Sequence, residues 1–126
     1  MAKYVDGFVF VVPKSKITEY RKMAKEGAQT WKKHGALAYF ECMGEDLNPK
    51  PMGGPKPLSF TKMTKAKSNE TVWFSFITFN SKKHRDEVNA KVMKAFEKKY
   101  GKGQEVQMPF DMKRFAYGGF EAMVEA

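Results

Sequence analysis

Two histidines, one cysteine and three arginines are the scarce reactive side chains of this 126-residue sequence, and their spacing limits the chemistry it can support. His84, Arg85 and Asp86 are consecutive, and Asn89 follows Arg85 at the four-residue spacing that shares one helix face. In the first turn of a helix the dipole favours a neutral imidazole, which near pH 7 is a base or a ligand. Lysine and arginine together number 23, yet arginine occurs only at Arg21, Arg85 and Arg114. A guanidinium holds a carboxylate or phosphate by two parallel hydrogen bonds, which an ammonium cannot do. The expected ligand site is therefore His84, Arg85 and Asn89, with Asp111 and Arg114 nearby and the turn Met108, Pro109 and Phe110 as an apolar wall. Its ligand would be a small anionic or apolar molecule. The bland alternative is a solvated helix start with its charges on display. If Arg85 is an exposed side chain, replacing it by alanine should leave the fold intact.

The remaining candidates point to structure. His34 falls at the end of the first predicted helix, where a protonated ring has a capping role. Asp6 and Glu41 interrupt apolar strands, so each either faces water or is buried with a partner. The favoured internal ion pair is Asp6 with Arg114, because the first and last strands are expected to be neighbours. Asp111 follows Pro109 in a turn, where an acid commonly bonds local backbone. Two histidines and one cysteine without tight spacing spell no metal site, and no cofactor is implied. Gly53-Gly54 lacks the strand, the helix and the lysine of a phosphate loop, and no nucleophile elbow is present. Cys42 reads as a small buried strand residue. The nine methionines read as core filler, and Trp31 and Trp73 as core.

The elements that must position these residues follow from periodicity. Residues 4–12 are β-branched and aromatic, and read as a strand ended by Pro13. Ile17, Tyr20, Ala24, Ala28 and Trp31 recur at helical spacing, so a helix is expected over 16–34 with Ser15 as its cap and Gly35 as its stop. Residues 36–43 form a second strand. Four prolines and a glycine pair between Gly44 and Pro57 leave one long loop. Residues 58–67 fit a short helix and an edge strand equally. Residues 71–79 are almost continuously apolar, as in a central strand. Ser81 caps a second helix reaching Tyr100, with Val88, Val92, Phe96 and Tyr100 as its stripe. Residues 114–124 read as a last strand interrupted at Gly118-Gly119.

Strand, helix, strand, strand, helix, strand is the split βαβ order. It predicts one α+β domain over 1–126, with a four-stranded antiparallel sheet and two helices on one face. Nothing in such a chain covers the other face, whose positions are aromatic and apolar. A surface of that kind is a partner site, and a second copy is the simplest partner. No apolar run approaches the roughly 20 residues that span a bilayer, and the start of the chain, broken by Asp6, is a poor signal peptide. A single cysteine fits a reducing compartment, so the cytoplasm is expected. The net charge of +9 raises the question of nucleic acid. Lysines scattered along the chain, with little arginine, favour a solubilising surface instead.

Several segments resemble the YbaA-like family of bacterial proteins, classed as a domain of unknown function. They are Tyr4–Phe8, His34–Leu37, Glu41-Cys42, His84–Met93, Met108–Asp111 and Tyr117–Glu121. The resemblance runs from Tyr4 to about Val124. It implies a ferredoxin-like, dimeric α+β barrel fold, which agrees with the order of elements. It implies no single activity, since that superfamily holds monooxygenases, isomerases, haem proteins and ligand sensors. The leading expectation is a homodimer that binds a small molecule between sheet and helices, with or without metal-free catalysis. A non-catalytic assembly or ligand-sensing module is the alternative, and a charge-driven polyanion binder a weaker one.

Overall fold

The computed structural model describes residues 3–103 and 107–126. Its elements are β1 (Tyr4–Pro13), α1 (Ile17–Lys33), β2 (Ala38–Met43), α2 (Phe60–Thr64), β3 (Glu70–Phe79), α3 (Lys82–Tyr100) and β4 (Ala116–Glu121). The strands form one antiparallel sheet in the order β2-β3-β1-β4. This is the predicted α+β architecture with one addition, the five-residue α2, which realises the helical option for residues 58–67. Ser59 caps α2 by accepting a hydrogen bond from the Lys62 N–H at 3.1 Å. The sheet of the single chain is open, not a closed barrel.

Alternation along the strands sorts the side chains into two layers. Phe10 and Val12 of β1 and Trp73 of β3 pack with Tyr20 and Ala24 of α1. Ile77 and Phe79 of β3 pack with Ala36 and with Val88 and Val92 of α3. Burying such side chains stabilises the fold by about 1.5–3 kcal/mol each. The two helices thus cover one face of the sheet. On the opposite face Phe40, Phe74 and Phe120 stay 51%, 46% and 62% exposed. Val11 and Val72, at one end of that face, are buried, and α2 packs there against β1 and β3.

Several local expectations are revised. A 3-10 turn over Lys14–Lys16 leads into α1, whose start carries no side-chain cap, so Ser15 is not the N-cap. Ser81 does cap α3, accepting from the His84 N–H at 3.1 Å. β4 begins at Ala116 and runs through Gly118-Gly119 without a break. Gly119 serves packing: a Cβ there would lie 2.7 Å from Tyr4 Cε2. Cys42 is exposed, because its position in β2 alternates onto the uncovered face. Among the described residues no helix is long and apolar enough to cross a membrane.

Candidate functional site

Glu41 and Tyr39 sit two residues apart on β2, so their side chains leave the sheet on the same side. Their register partners Ser75 and Ile77 place that side under the helices. α1 crosses over it and lowers Tyr20 from its buried stripe. The three polar tips meet. The Tyr20 hydroxyl lies 2.9 Å from both Glu41 carboxylate oxygens, and the Tyr39 hydroxyl donates to Glu41 Oε2 at 2.7 Å. Burial pushes the Glu41 carboxyl above its usual range, against the hydrogen bonds from Tyr39, Tyr20 and Ser75. Burial, with the adjoining Glu41 charge, raises both phenols as well. At neutral pH the phenols are therefore donors, and Glu41 is the group in the trio closest to exchanging a proton.

Tyr39 and Glu41 of this trio line a groove of about 880 Å³ between α1 and the β2 side of the sheet. Ile17, Ala24, Ala28, Met43 and Trp73 give it apolar walls, and Arg21, Lys22 and Lys25 stand along its α1 side. A largely apolar cleft with a few polar groups and a perturbed carboxyl is the general form of a small-molecule site. Sequence reasoning singled out Glu41 as an acid in a strand but did not place it in a site. The available signal was the i, i+2 pair Tyr39 and Glu41 facing a helix stripe that contains Tyr20.

A second polar cluster lies at the start of α3. Asp6, only 1% exposed, meets Arg85 across 3.4 Å from Oδ1 to Nη1. Arg85 also donates to the hydroxyls of Tyr117 at 2.9 Å and Tyr4 at 3.3 Å, and its guanidinium sits 4.9 Å from the centre of the Tyr4 ring. Asn89 bridges the helices to β1, accepting from Trp31 Nε1 at 3.0 Å and donating to Asp6 at 3.5 Å. Burial raises the Asp6 carboxyl above its usual range despite Arg85, Asn89 and Tyr117. Its Oδ1 receives no hydrogen bond among the described residues.

The predicted Asp6–Arg114 pair is thus corrected. Arg114 instead holds Glu70 through two parallel bonds of 2.8 and 2.7 Å, and also donates to Asp111 at 3.1 Å. These bonds hold the Glu70 carboxyl down to about 2. The reason is register. Asp6 faces Gly119 on β4, whereas Arg114 precedes that strand and falls beside β1 about five residues, or roughly 17 Å, farther along.

The seven expected ligand-site residues occupy four environments. Arg85 and Asn89 converge on Asp6, while His84 Nδ1 accepts from the Asn80 N–H at 3.0 Å and its ring packs edge-on against Phe79. Met108 and Phe110 pack against the core of Phe10 and Tyr20. Asp111 and Arg114 join Glu70, and Asp111 also accepts from the Lys113 N–H, the local backbone bond expected of it. Arg85 is not the exposed side chain supposed from sequence, since only 16% of its surface reaches solvent.

Comparison with known proteins gives consistent relatives. Residues 3–112 match the family model described as protein of unknown function (DUF1428). The uncharacterized protein YbaA of Escherichia coli strain K12 is 44% identical over 124 residues, covering 98% of both chains. The uncharacterized protein YbaA of Shigella flexneri matches to the same extent.

Proposed function

Since the chain belongs to the family of proteins of unknown function (DUF1428), its role has to be read from its own surface, and we propose that it is a homodimeric small-molecule-binding protein. The ligand seat is the groove between α1 and β2. The observation that carries this reading is Glu41, a carboxyl held by Tyr20 and Tyr39 beside an apolar cleft of about 880 Å³. A structural carboxylate has no need of an adjoining cleft with charged groups along one side. The raised Glu41 carboxyl also equips the seat for proton transfer without a metal, so a bound ligand with an acidic C–H, N–H or O–H is within its chemical reach.

The dimer rests on the other face of the sheet, where Phe40, Phe74 and Phe120 project from three strands. Packing that face on a second copy about a two-fold axis would remove the patch from water. The same face supports the second reading, an assembly or sensing module in which ligand occupancy of the groove is reported through the dimer. The single cysteine is in keeping with a reducing, cytoplasmic setting.

Trp73 lines the groove and provides an internal probe. In a Trp31→Phe chain it is the only tryptophan. A small-molecule panel of acids, amines and neutral compounds should contain binders that change Trp73 emission and raise the melting temperature. Their effect on Trp73 should vanish when Ala28→Phe fills the groove. If binders leave Trp73 unchanged, or act equally on the filled variant, the groove is not the ligand seat.

A further inference from the structure

Arginine accounting identifies the class of ligand. Of the three arginines, Arg114 is committed to Glu70 and Asp111, and Arg85 to Asp6 and Asp86. Arg21 has no ion pair among the described residues, and it lines the groove. Lys25 follows one turn later on the same helix face, also without an ion pair, and Lys22 stands beside both. The third guanidinium fork, in a chain that otherwise relies on lysine, thus sits unengaged beside an apolar cleft.

The geometry assigns the groove to small apolar monocarboxylates, with the ligand's carboxylate on Arg21 and Lys25 and its apolar body against Ile17, Ala24, Met43 and Trp73. This rests on the small-molecule reading above and narrows it. Charge complementarity excludes the opposite class. An organic cation would face Arg21, Lys22 and Lys25, and one acid would have to hold it, Glu41, which Tyr20 and Tyr39 already occupy. An uncharged apolar compound would leave the fork unused. A dianion or polyphosphate would need more desolvated donors than one arginine and two flexible lysines supply, and would sit next to Glu41. A single carboxylate matches the guanidinium edge in a bidentate pair, and the cleft extends from there along apolar walls. Glu41 and Tyr39 then meet the ligand body, where a hydroxyl or carbonyl on the chain would find a carboxyl and a phenol.

The test compares octanoate with octanamide, which share an apolar body and differ in charge. Binding is followed by backbone amide shifts in two-dimensional NMR, mapped on residues 17–28, 39–43 and 73. Octanoate should shift these amides and bind about tenfold or more tightly than octanamide, the difference of one charge-assisted pair. Arg21→Gln should erase that preference, bringing octanoate to the affinity of octanamide. Arg21→Lys should restore only part of it, because the charge returns without the fork. Arg21 is exposed and has no ion pair among the described residues, so both variants should melt with the parent chain. Equal binding of the two probes in the groove, or an unchanged preference in Arg21→Gln, overturns the monocarboxylate assignment and leaves the groove a general small-molecule seat. If neither probe shifts the groove amides up to its solubility limit, both the assignment and the small-molecule reading fall.

Discussion

Removing the Arg85 guanidinium should destabilise the chain strongly at neutral pH and much less in mild acid. Arg85→Ala leaves the Asp6 carboxylate 1% exposed and without a cation. At 3.4 Å and an effective dielectric constant near 20, the lost attraction is roughly 5 kcal/mol. Breaking a buried pair from one side typically costs about 3–5 kcal/mol. Asp6 has an escape, which is to bind a proton. Starting from the ordinary value of 3.8, holding it protonated at about pH 7 costs close to 4 kcal/mol, at about 1.4 kcal/mol per pH unit. The parent chain already bears part of that, because burial raises Asp6 even beside Arg85. The net loss should therefore be about 2–3 kcal/mol near neutrality. A raised folded pKa means that Asp6 is fully compatible with the fold below its unfolded pKa and loses stability as pH rises through the folded one. Without Arg85 the folded pKa moves higher, so the penalty grows over a longer span of pH and shrinks near about pH 4 to about 1 kcal/mol, the hydrogen bonds to Tyr4 and Tyr117. Urea unfolding followed by tryptophan fluorescence at about pH 7 and about pH 4.5, at one fixed protein concentration, measures it. In an Asp6→Asn background the same substitution should cost only about 1 kcal/mol, the hydrogen bonds to Tyr4 and Tyr117. Equal losses at the two pH values, or additive losses in the double variant, would refute the argument.

Three further outcomes are expected. The purified chain should sediment at twice the monomer mass at micromolar concentration, and Phe74→Asp should sediment as a monomer; a thiol reagent should then reach Cys42, which neighbours Phe74 in register, much faster than in the parent. A monomeric parent with a fully reactive Cys42 removes the case for the dimer. Glu41 is raised by burial, so the parent should lose stability as pH rises from the ordinary 4.5 through the folded value, and Glu41→Gln should show a shallower slope, with the share of the likewise raised Asp6 remaining; unfolding midpoints across pH decide it, and an unchanged slope excludes Glu41 as a source. Glu70 behaves oppositely: held at about 2 by Arg114, it contributes stability above the ordinary 4.5 that is lost as pH falls toward 2, and Glu70→Gln should flatten this acid limb.

Local pattern carried most of the architecture. The β-branched run at Tyr4–Pro13 and the apolar run at Glu70–Phe79 mark the two inner strands, and the Ser81 cap marks the start of α3. Alternation alone says that Phe74 and Phe76 leave β3 on the side opposite Trp73 and Ile77. What local pattern does not contain is the phase between elements. Whether Asp6 meets Arg85 or Arg114 depends on where β4 starts against β1, and that start is set by a 3-10 turn at Met112–Arg114 held by Asp111. Gly118-Gly119 reads as a break because glycine weakens strands, yet β4 runs through it, and Tyr4 lies over Gly119. The site trio was hidden in the same way. Tyr20 on a helix stripe is indistinguishable from core until the helix is laid over Glu41.

β2 is an edge strand, and like its neighbour β3 it takes part in both proposed surfaces. Tyr39, Glu41 and Met43 face the groove, while Phe40 and Cys42 face the uncovered side. Its ladder to β3 holds one margin only, so its position is set by what packs on its two faces. A second copy seated on Phe40 and Phe74 would fix β2 from below and with it the Glu41 carboxyl. A ligand against Met43 and Trp73 would fix the same strand from above. Any free energy by which the dimer favours the ligand must return as the same free energy by which the ligand favours the dimer. With both surfaces occupied as proposed, the dimer dissociation constant should fall when octanoate is present, and fall less in Arg21→Gln. An unchanged constant at saturating octanoate would show that β2 is already rigid and that the two faces act independently.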